Sequence, residues 1–232
     1  RIPVSWEEVP DYVVHACVAA EDKRFFEHWG IDPIALARAL VVATVTRSEA
    51  RGTSTLTQQL TRDYFLSRDR TIVRKLREAF LAYKIEQEFT KEEIMTLFLN
   101  KMFFGQRAYG VAAAAQIYFD RDLADLSIAE AATLAGVLPA PSRYNPVNGP
   151  ENARNRRTYV LGRMLDLDYI DDTQYREAMD HPMLSKLHGP AIELSAPYLA
   201  EMVRRDVVNR YGTDITTRGY NVYTTIDSSM QR

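Results

Sequence analysis

Helix-start signals recur so closely along this chain that little room is left for anything but a helical body. Asp32 stands before Pro33, an N-cap followed by proline at the first helical position. Thr90 with Glu93, and Ser127 with Glu130, each set a hydroxyl three residues ahead of a carboxylate at the head of an apolar periodic stretch, the pattern of a capping box. Helical periodicity extends over approximately Asp11 to Arg24, Pro33 to Thr46, Thr55 to Phe65, Arg70 to Glu88, Lys91 to Met102, Ser127 to Val137 and Glu151 to Asp168. Pro139, Pro141, Pro146 and Pro150, interleaved with Asn145, Asn148 and Gly149, predict a fixed, turn-rich loop. Character changes near residue 183. His181 to Ser195 reads as loop, Pro197 to Tyr211 as helix, and the alternation Val222, Tyr223, Thr224, Thr225, Ile226 as a strand. A lone strand needs partners, so residues 183–232 are expected to be a linker segment bordering something outside this chain, after a main domain at 1–182.

A length of 232 residues lies near the upper limit of what one core organises. The apolar fraction of 46% with 26% charged residues belongs to an ordinary globular protein rather than a disordered one. With 29 basic and 31 acidic side chains the net charge is -2, so no global field draws the chain to nucleic acid, and any anion site must be local. Cys17 is the single cysteine and cannot form an internal disulfide, and no Cys and His spacing suits zinc. The longest weakly charged run, Ile34 to Val45, is interrupted by Arg38 and falls short of the roughly 20 apolar residues of a spanning helix. The chain opens on Arg1 rather than Met, which is expected of an excised fragment whose anchor lies elsewhere.

Three places could carry chemistry. Val14, Cys17, Val18 and Glu21 fall at spacings of three and four, which puts Glu21 on the stripe expected to face the core. Burial there raises a carboxyl pKa toward the working range of a general base, with Phe25 and Phe26 deepening the apolar setting and Asp22 and His28 adding polar groups. A glutamate that caps or ion-pairs locally is the commoner outcome for such a position. In the second place, Gly52 to Leu60, a helix starting near Thr55 lines up Thr55, Gln58, Gln59 and Arg62 as a polar stripe, with exposed amides near Ser54 and Thr55 suited to an anion. A solvated face behind an ordinary cap fits the same residues. The third place gathers Arg62, Arg68, Arg70, Arg74, Lys75 and Arg77 against only Asp63 and Asp69. Glu78 stands inside that basic surface, opposite Ile72, Leu76 and Phe80, in an environment unlike that of Glu21, as paired acid/base sites require. A solvated Arg74–Glu78 pair is the plain alternative.

Together these segments resemble the peptidoglycan glycosyltransferases, the polymerising domain of class A penicillin-binding proteins and their monofunctional relatives. Glu21 to Gly30 is similar to the first family motif, an E-D, F, H, G pattern, and Gly52 to Gln59 to the second, G-x-S-T-x-T-Q-Q. Arg74-Lys75-Leu76-Arg77-Glu78-Ala79 resembles the third, and Phe98-Leu99-Asn100 with Phe104-Gly105 and Ala108-Tyr109-Gly110 the fourth. The likeness continues from Glu130 to Pro146 and covers about residues 1 to 180, while the tail resembles the linker toward a transpeptidase domain. No Ser-x-x-Lys occurs, so acyl-transfer chemistry is expected to be absent. Arg62 stands where lysine is usual, Asp63 for asparagine, Thr96 for a frequent glutamate and Phe98 for tyrosine.

The resemblance implies a mainly α, lysozyme-like helical glycosyltransferase fold with a short C-terminal segment containing a β-strand. It implies lipid II as acceptor and a polyprenyl-pyrophosphate-linked glycan chain as donor, joined β-1,4 with inversion. Glu21 is then the general base on the acceptor 4-hydroxyl. Arg62, Arg70, Arg74 and Lys75 neutralise the leaving pyrophosphate, and Asp22, Phe25, His28, Ser54, Thr55, Gln58 and Gln59 bind and position substrate. Glu78 orders the basic groups or a metal. A divalent cation, Mg or Mn, could share the charge, and no organic cofactor is implied. The expected partners are a membrane surface and other cell-wall synthesis proteins, at the periplasmic face of the bacterial cytoplasmic membrane, with Ile34 to Val45 and Tyr64 to Leu66 as candidate contacts. A lysozyme-like glycan hydrolase and a non-catalytic polyprenyl-pyrophosphate-binding domain are the rival readings.

Overall fold

The computed structural model describes residues 2–38, 54–65, 71–183, 185–188, 197–216, 222 and 224. The chain divides into two compact units, Arg1–His188 and Gly189–Arg232. The first holds α1 (Asp11–Glu21), α2 (33–38, as far as described), α3 (Leu56–Phe65), α4 (Ile72–Glu88), α5 (Lys91–Lys101), α6 (Val111–Phe119), α7 (Ile128–Val137), α8 (Pro150–Asp166) and α9 (Asp172–Asp180). The second holds α10 (Pro197–Tyr211) and a 3-10 turn, Thr213–Thr216. The fold is mainly helical. Among the described residues the single β pairing is an isolated bridge between Phe103 and Tyr109. Of the alternating tail only Val222 and Thr224 are described, neither in a strand, and the rest of that segment lies outside the described residues.

Local chemistry explains where the helices begin. Thr90 and Ser127 accept from the backbone N–H of Glu93 and Glu130, and both glutamates reach back to complete the boxes. Asp32 Oδ1 accepts from the N–H groups of Ile34 and Ala35, at 2.9 and 3.0 Å, and so caps α2. Two helices escaped the periodicity. In α6, Val111, Ala112 to Ala115 and Tyr118 are buried on several faces at once, so no polar stripe marks its phase. α9 starts on a capping box of Asp171 and Gln174, a signal that was present in the sequence but is followed by a short, mostly polar helix.

α7 is the centre of the first unit. Every residue from Ala129 to Val137 is buried, and α1, α6, α8 and α9 all pack against it. Its small residues Ala131, Ala132, Ala135 and Gly136 let neighbours approach closely: a Cβ on Gly136 would lie 3.0 Å from Arg156 Cγ. α3 packs on α4 and α5, burying Leu56 and Leu60, each worth about 1.5–3 kcal/mol in apolar burial. Cys17 sits in the same core, and burial pushes its thiol up to about 12, which leaves it unreactive.

The fourth motif is a structural knot. Asn100 exchanges two hydrogen bonds with the backbone of Val4, at 2.9 and 2.8 Å, strapping the N-terminal segment to α5. Tyr118 donates to Phe104 O, and Asn145 of the proline-rich loop donates to Tyr118, so the loop is tied to α6. Phe98, fully buried, stands where a tyrosine hydroxyl would need a partner. Thr96 turns its hydroxyl onto Glu92 O at 2.8 Å.

Gly30 joins the first motif to α4. Its φ is +86°, and a Cβ there would stand 2.6 Å from both the carbonyl carbon and oxygen of Ala82. Gly30→Ala is therefore expected to lower unfolding free energy by about 2 kcal/mol or more, combining a left-handed backbone cost with a backbone clash. A urea titration checks this through a lower midpoint at unchanged slope.

Candidate active site

Glu21 is the last residue of α1. A carboxylate there faces the negative end of the helix dipole, which disfavours its charge. Its side chain, 10% exposed, closes not into the core behind Val14, Cys17 and Val18 but onto a cleft. Gln59 Nε2 on α3 donates to Glu21 Oε2 at 2.9 Å, and Arg156 Nη2 on α8 stands 3.8 Å from Oε1. Burial raises the Glu21 pKa above the usual carboxylate value. Gln59, Arg156 and Arg62 pull against that shift, and Asp22 adds to it.

The cleft, about 880 Å³, lies between the end of α1, α3 and α8. Lys23, Arg38, Arg62, Arg156 and Arg163 line it, with Asp22, Asp32, Ser54, Thr55, Tyr144 and Tyr159. Arg156 Cζ lies over Tyr159, 4.4 Å from the ring centre, with the Tyr144 ring centre at 5.8 Å. Sequence reasoning missed this arginine, and Lys23, Arg38 and Arg163 with it.

Asp22 welds α1 to α3. Its Oδ2 accepts from Leu56 N–H at 2.9 Å and lies 2.9 Å from His28 Nε2. Gly30 N–H donates to His28 Nδ1, so the ring presents its Nε2 hydrogen to Asp22. His28 is buried behind the cleft wall, and Phe25, fully buried, lies under Lys91 Nζ at 4.5 Å from its ring centre; neither lines the cleft.

The expected polar stripe on α3 is broken at Gln58. Thr55 N–H donates to Gln58 Oε1 and Gln58 N–H to Thr55 Oγ1, a reciprocal cap that pulls the glutamine under the helix start. Thr55 Oγ1 donates to Gly30 O at 2.6 Å, and Thr57 Oγ1 to Glu86 Oε1 at 2.6 Å. Ser54, Thr55, Gln59 and Arg62 remain on the cleft. Asp63, which stands where the family has asparagine, lies 3.6 Å from Arg62 Nε and gives that arginine a local counter-charge.

Glu78 departs furthest from a solvated surface pair. It is fully buried, with Arg74 Nη1 at 2.5 Å from one oxygen and Lys75 Nζ on the other. Lys75 also donates to Ser54 Oγ at 2.7 Å. Glu78, Arg74 and Lys75 thus order the head of α3 from behind and do not line the cleft. Leu76 and Phe80, expected on a core stripe, are exposed instead, because α4 turns Glu78 and Ala82 inward. Arg70 lies outside the described residues, as do Gly52, Arg68 and Asp69. Both Glu78 oxygens are taken by cations, and among the described residues no group of three or more His, Cys, Asp or Glu could hold a metal ion. The donor set at Glu78 therefore does not fit a resident divalent cation.

The Glu21 shift has a stability consequence. A carboxyl whose folded pKa is raised holds its proton longer when folded, so stability falls as pH climbs above the ordinary value of 4.5. Glu21→Gln is expected to melt higher than the native chain at pH 7, with the difference vanishing once pH drops below that value. Thermal melts across pH test it.

Comparison with known proteins identifies the family. The family model described as Transglycosylase matches residues 1–165. Penicillin-binding protein 1A of Vibrio cholerae serotype O1 is 48% identical over 233 residues, covering 100% of this chain and 28% of that protein. The Escherichia coli K12 protein of the same name is 47% identical over 232 residues, covering 100% of this chain and 27% of its own length. The chain thus spans little more than a quarter of these relatives. A 2.6 Å crystal structure of penicillin-binding protein 1A from Haemophilus influenzae superposes with a TM-score of 0.52 at 29% identity, over 92% of this chain and 22% of that one. The chain belongs to the transglycosylase family.

Proposed function

We propose that this cleft polymerises peptidoglycan glycan chains from lipid II, with Glu21 as general base. The observation that carries the reading is a nearly sealed glutamate, its pKa raised by burial, opening on a cleft in which five cations outnumber the acids. Glu21 takes the proton from the acceptor 4-hydroxyl as that oxygen attacks the anomeric carbon of the donor. The glycosidic bond to the polyprenyl pyrophosphate breaks with inversion, and the diphosphate leaves with its charge. Arg62, Arg156, Arg163 and Arg38 are the cations placed to meet that charge, and fixed positive groups aimed at developing negative charge are commonly the largest catalytic contribution. Gln59 orients Glu21, and Ser54 with the exposed start of α3 offers donors to sugar or phosphate oxygens. Arg70 keeps its proposed place in the diphosphate site, while Glu78 with Arg74 and Lys75 supports that site from behind.

The same reading seats the protein on the periplasmic surface of the bacterial cytoplasmic membrane. Among the described residues no helix is long and apolar enough to cross a bilayer. Ile34 and Leu36 on α2, Tyr64 and Phe65 on α3, and Val73, Leu76 and Phe80 on α4 nevertheless expose large apolar side chains, which suit shallow contact with lipid.

A hydrolase would let water attack and has no use for a basic diphosphate site. Glu21→Gln is expected to lower polymer formation from labelled lipid II by at least about a hundred-fold with the fold intact; persistent turnover would sink the assignment. Release of fragments from finished glycan would favour the hydrolase. Arg156→Gln should slow polymerisation by about a hundred-fold, the scale of one lost charge-stabilising group, as single-turnover assays with lipid II would register.

A further inference from the structure

Glu86, on α4, is a buried carboxylate outside the cleft lining. Its side chain is 4% exposed, and it lies two turns beyond Glu78 on the inward row Glu78, Ala82, Glu86. Each of its oxygens is engaged. Oε1 accepts from Thr57 Oγ1 at 2.6 Å and lies 3.8 Å from His28 Nδ1, while Oε2 pairs with Lys91 Nζ at 2.5 Å. Lys91 in turn donates to the carbonyl of His28 at 2.7 Å. A buried carboxylate costs several kcal/mol unless such partners compensate it, so the arrangement is a built one.

Both arms end on the same acceptor. Thr57 follows Leu56, whose N–H donates to Asp22 Oδ2, and His28 presents Nε2 to that same oxygen. Two residues after Thr57 comes Gln59, which donates to Glu21. We propose that Glu86 is a positioning residue for the transfer reaction: through Thr57 and Lys91 it fixes the two groups that hold Asp22, and with them the placement of Gln59 against Glu21. This rests on Glu21 acting as the base.

The pH profile separates this role from a merely structural one. The charged and titratable groups facing Glu21 are Asp22 and Cys17 beside it, Arg62 on α3 and Arg156 on α8, with Gln59 as the neutral hydrogen-bond donor. Gln59 stabilises the carboxylate form, so loosening it raises the Glu21 pKa further and moves the acidic limb of the rate profile to higher pH.

The experiment measures polymerisation of labelled lipid II across pH by the native chain, Thr57→Val, Glu86→Gln, the double variant and Glu21→Gln, each with a thermal melt. Thr57→Val removes one hydroxyl and leaves every charge in place, so it reports even if Glu86→Gln folds poorly. The expected result is kcat lowered by about ten- to a hundred-fold, KM nearly unchanged, an acidic limb displaced upward, and a double variant no worse than Glu86→Gln alone. A uniform fall at all pH that tracks the folded fraction, additive losses in the double variant, or native kinetics in Thr57→Val would overturn the proposal. Turnover retained by Glu21→Gln would instead overturn the assignment of the base on which it rests.

Discussion

One carboxylate oxygen, Asp22 Oδ2, holds the catalytic end of the molecule together. It receives the first amide of α3 from Leu56 and the imidazole of His28, and it sits where the backbone leaves α1. An unpaired buried carboxylate would be strongly destabilising, and here both donors satisfy it. The consequence is geometric: the end of α1, the turn through Gly30 and the start of α3 move as one piece. Glu21, one residue earlier, inherits its position from that junction. The close approach of Gly30 to Ala82 then fixes the piece against α4, where Glu86 accepts from Thr57 and Lys75, paired with Glu78, donates to Ser54.

Much of the fold was legible because helix starts are local events. The boxes at Thr90 and Ser127, and the cap at Asp32, satisfy backbone donors within three residues, so no tertiary information is needed to read them. α6 was not legible for the opposite reason. Its alanines are buried on several faces, and periodicity records a helix only when one side meets water. The inward turn of α4 was also misread, since a row of Ile72, Leu76 and Phe80 looks like a core stripe until buried carboxylates claim the other face.

The site divides along the same line. Glu21 stood out as a carboxyl continuing an apolar stripe, and its pKa is raised by burial in the cleft wall rather than in the core that stripe implied. Gln59 was readable as a polar residue on the right helix. Gln58 was not separable from it, because only the reciprocal cap with Thr55 decides which glutamine turns away. Arg156 was invisible among Arg154, Arg156, Arg157 and Arg163. Packing sorts them: Arg157 turns inward to the carbonyl of His181, at 2.9 Å, while Arg156 is laid over Tyr159 toward Glu21.

That sorting explains how one protein keeps two kinds of cation. Arg74 and Lys75 face a buried glutamate, and their charge is spent on building the head of α3. Arg62, Arg156 and Arg163 face the cleft: Asp63 stands beside Arg62 and Asp166 beside Arg163, while Arg156 has Glu21 at 3.8 Å. In the proposed transfer, Glu21 stops neutralising Arg156 once it takes a proton from the acceptor hydroxyl. On that proposal the positive field of the cleft rises at the step in which a diphosphate develops negative charge, so proton removal on one side strengthens stabilisation on the other. A base placed among cations, rather than apart from them, couples the two halves of the proposed transfer.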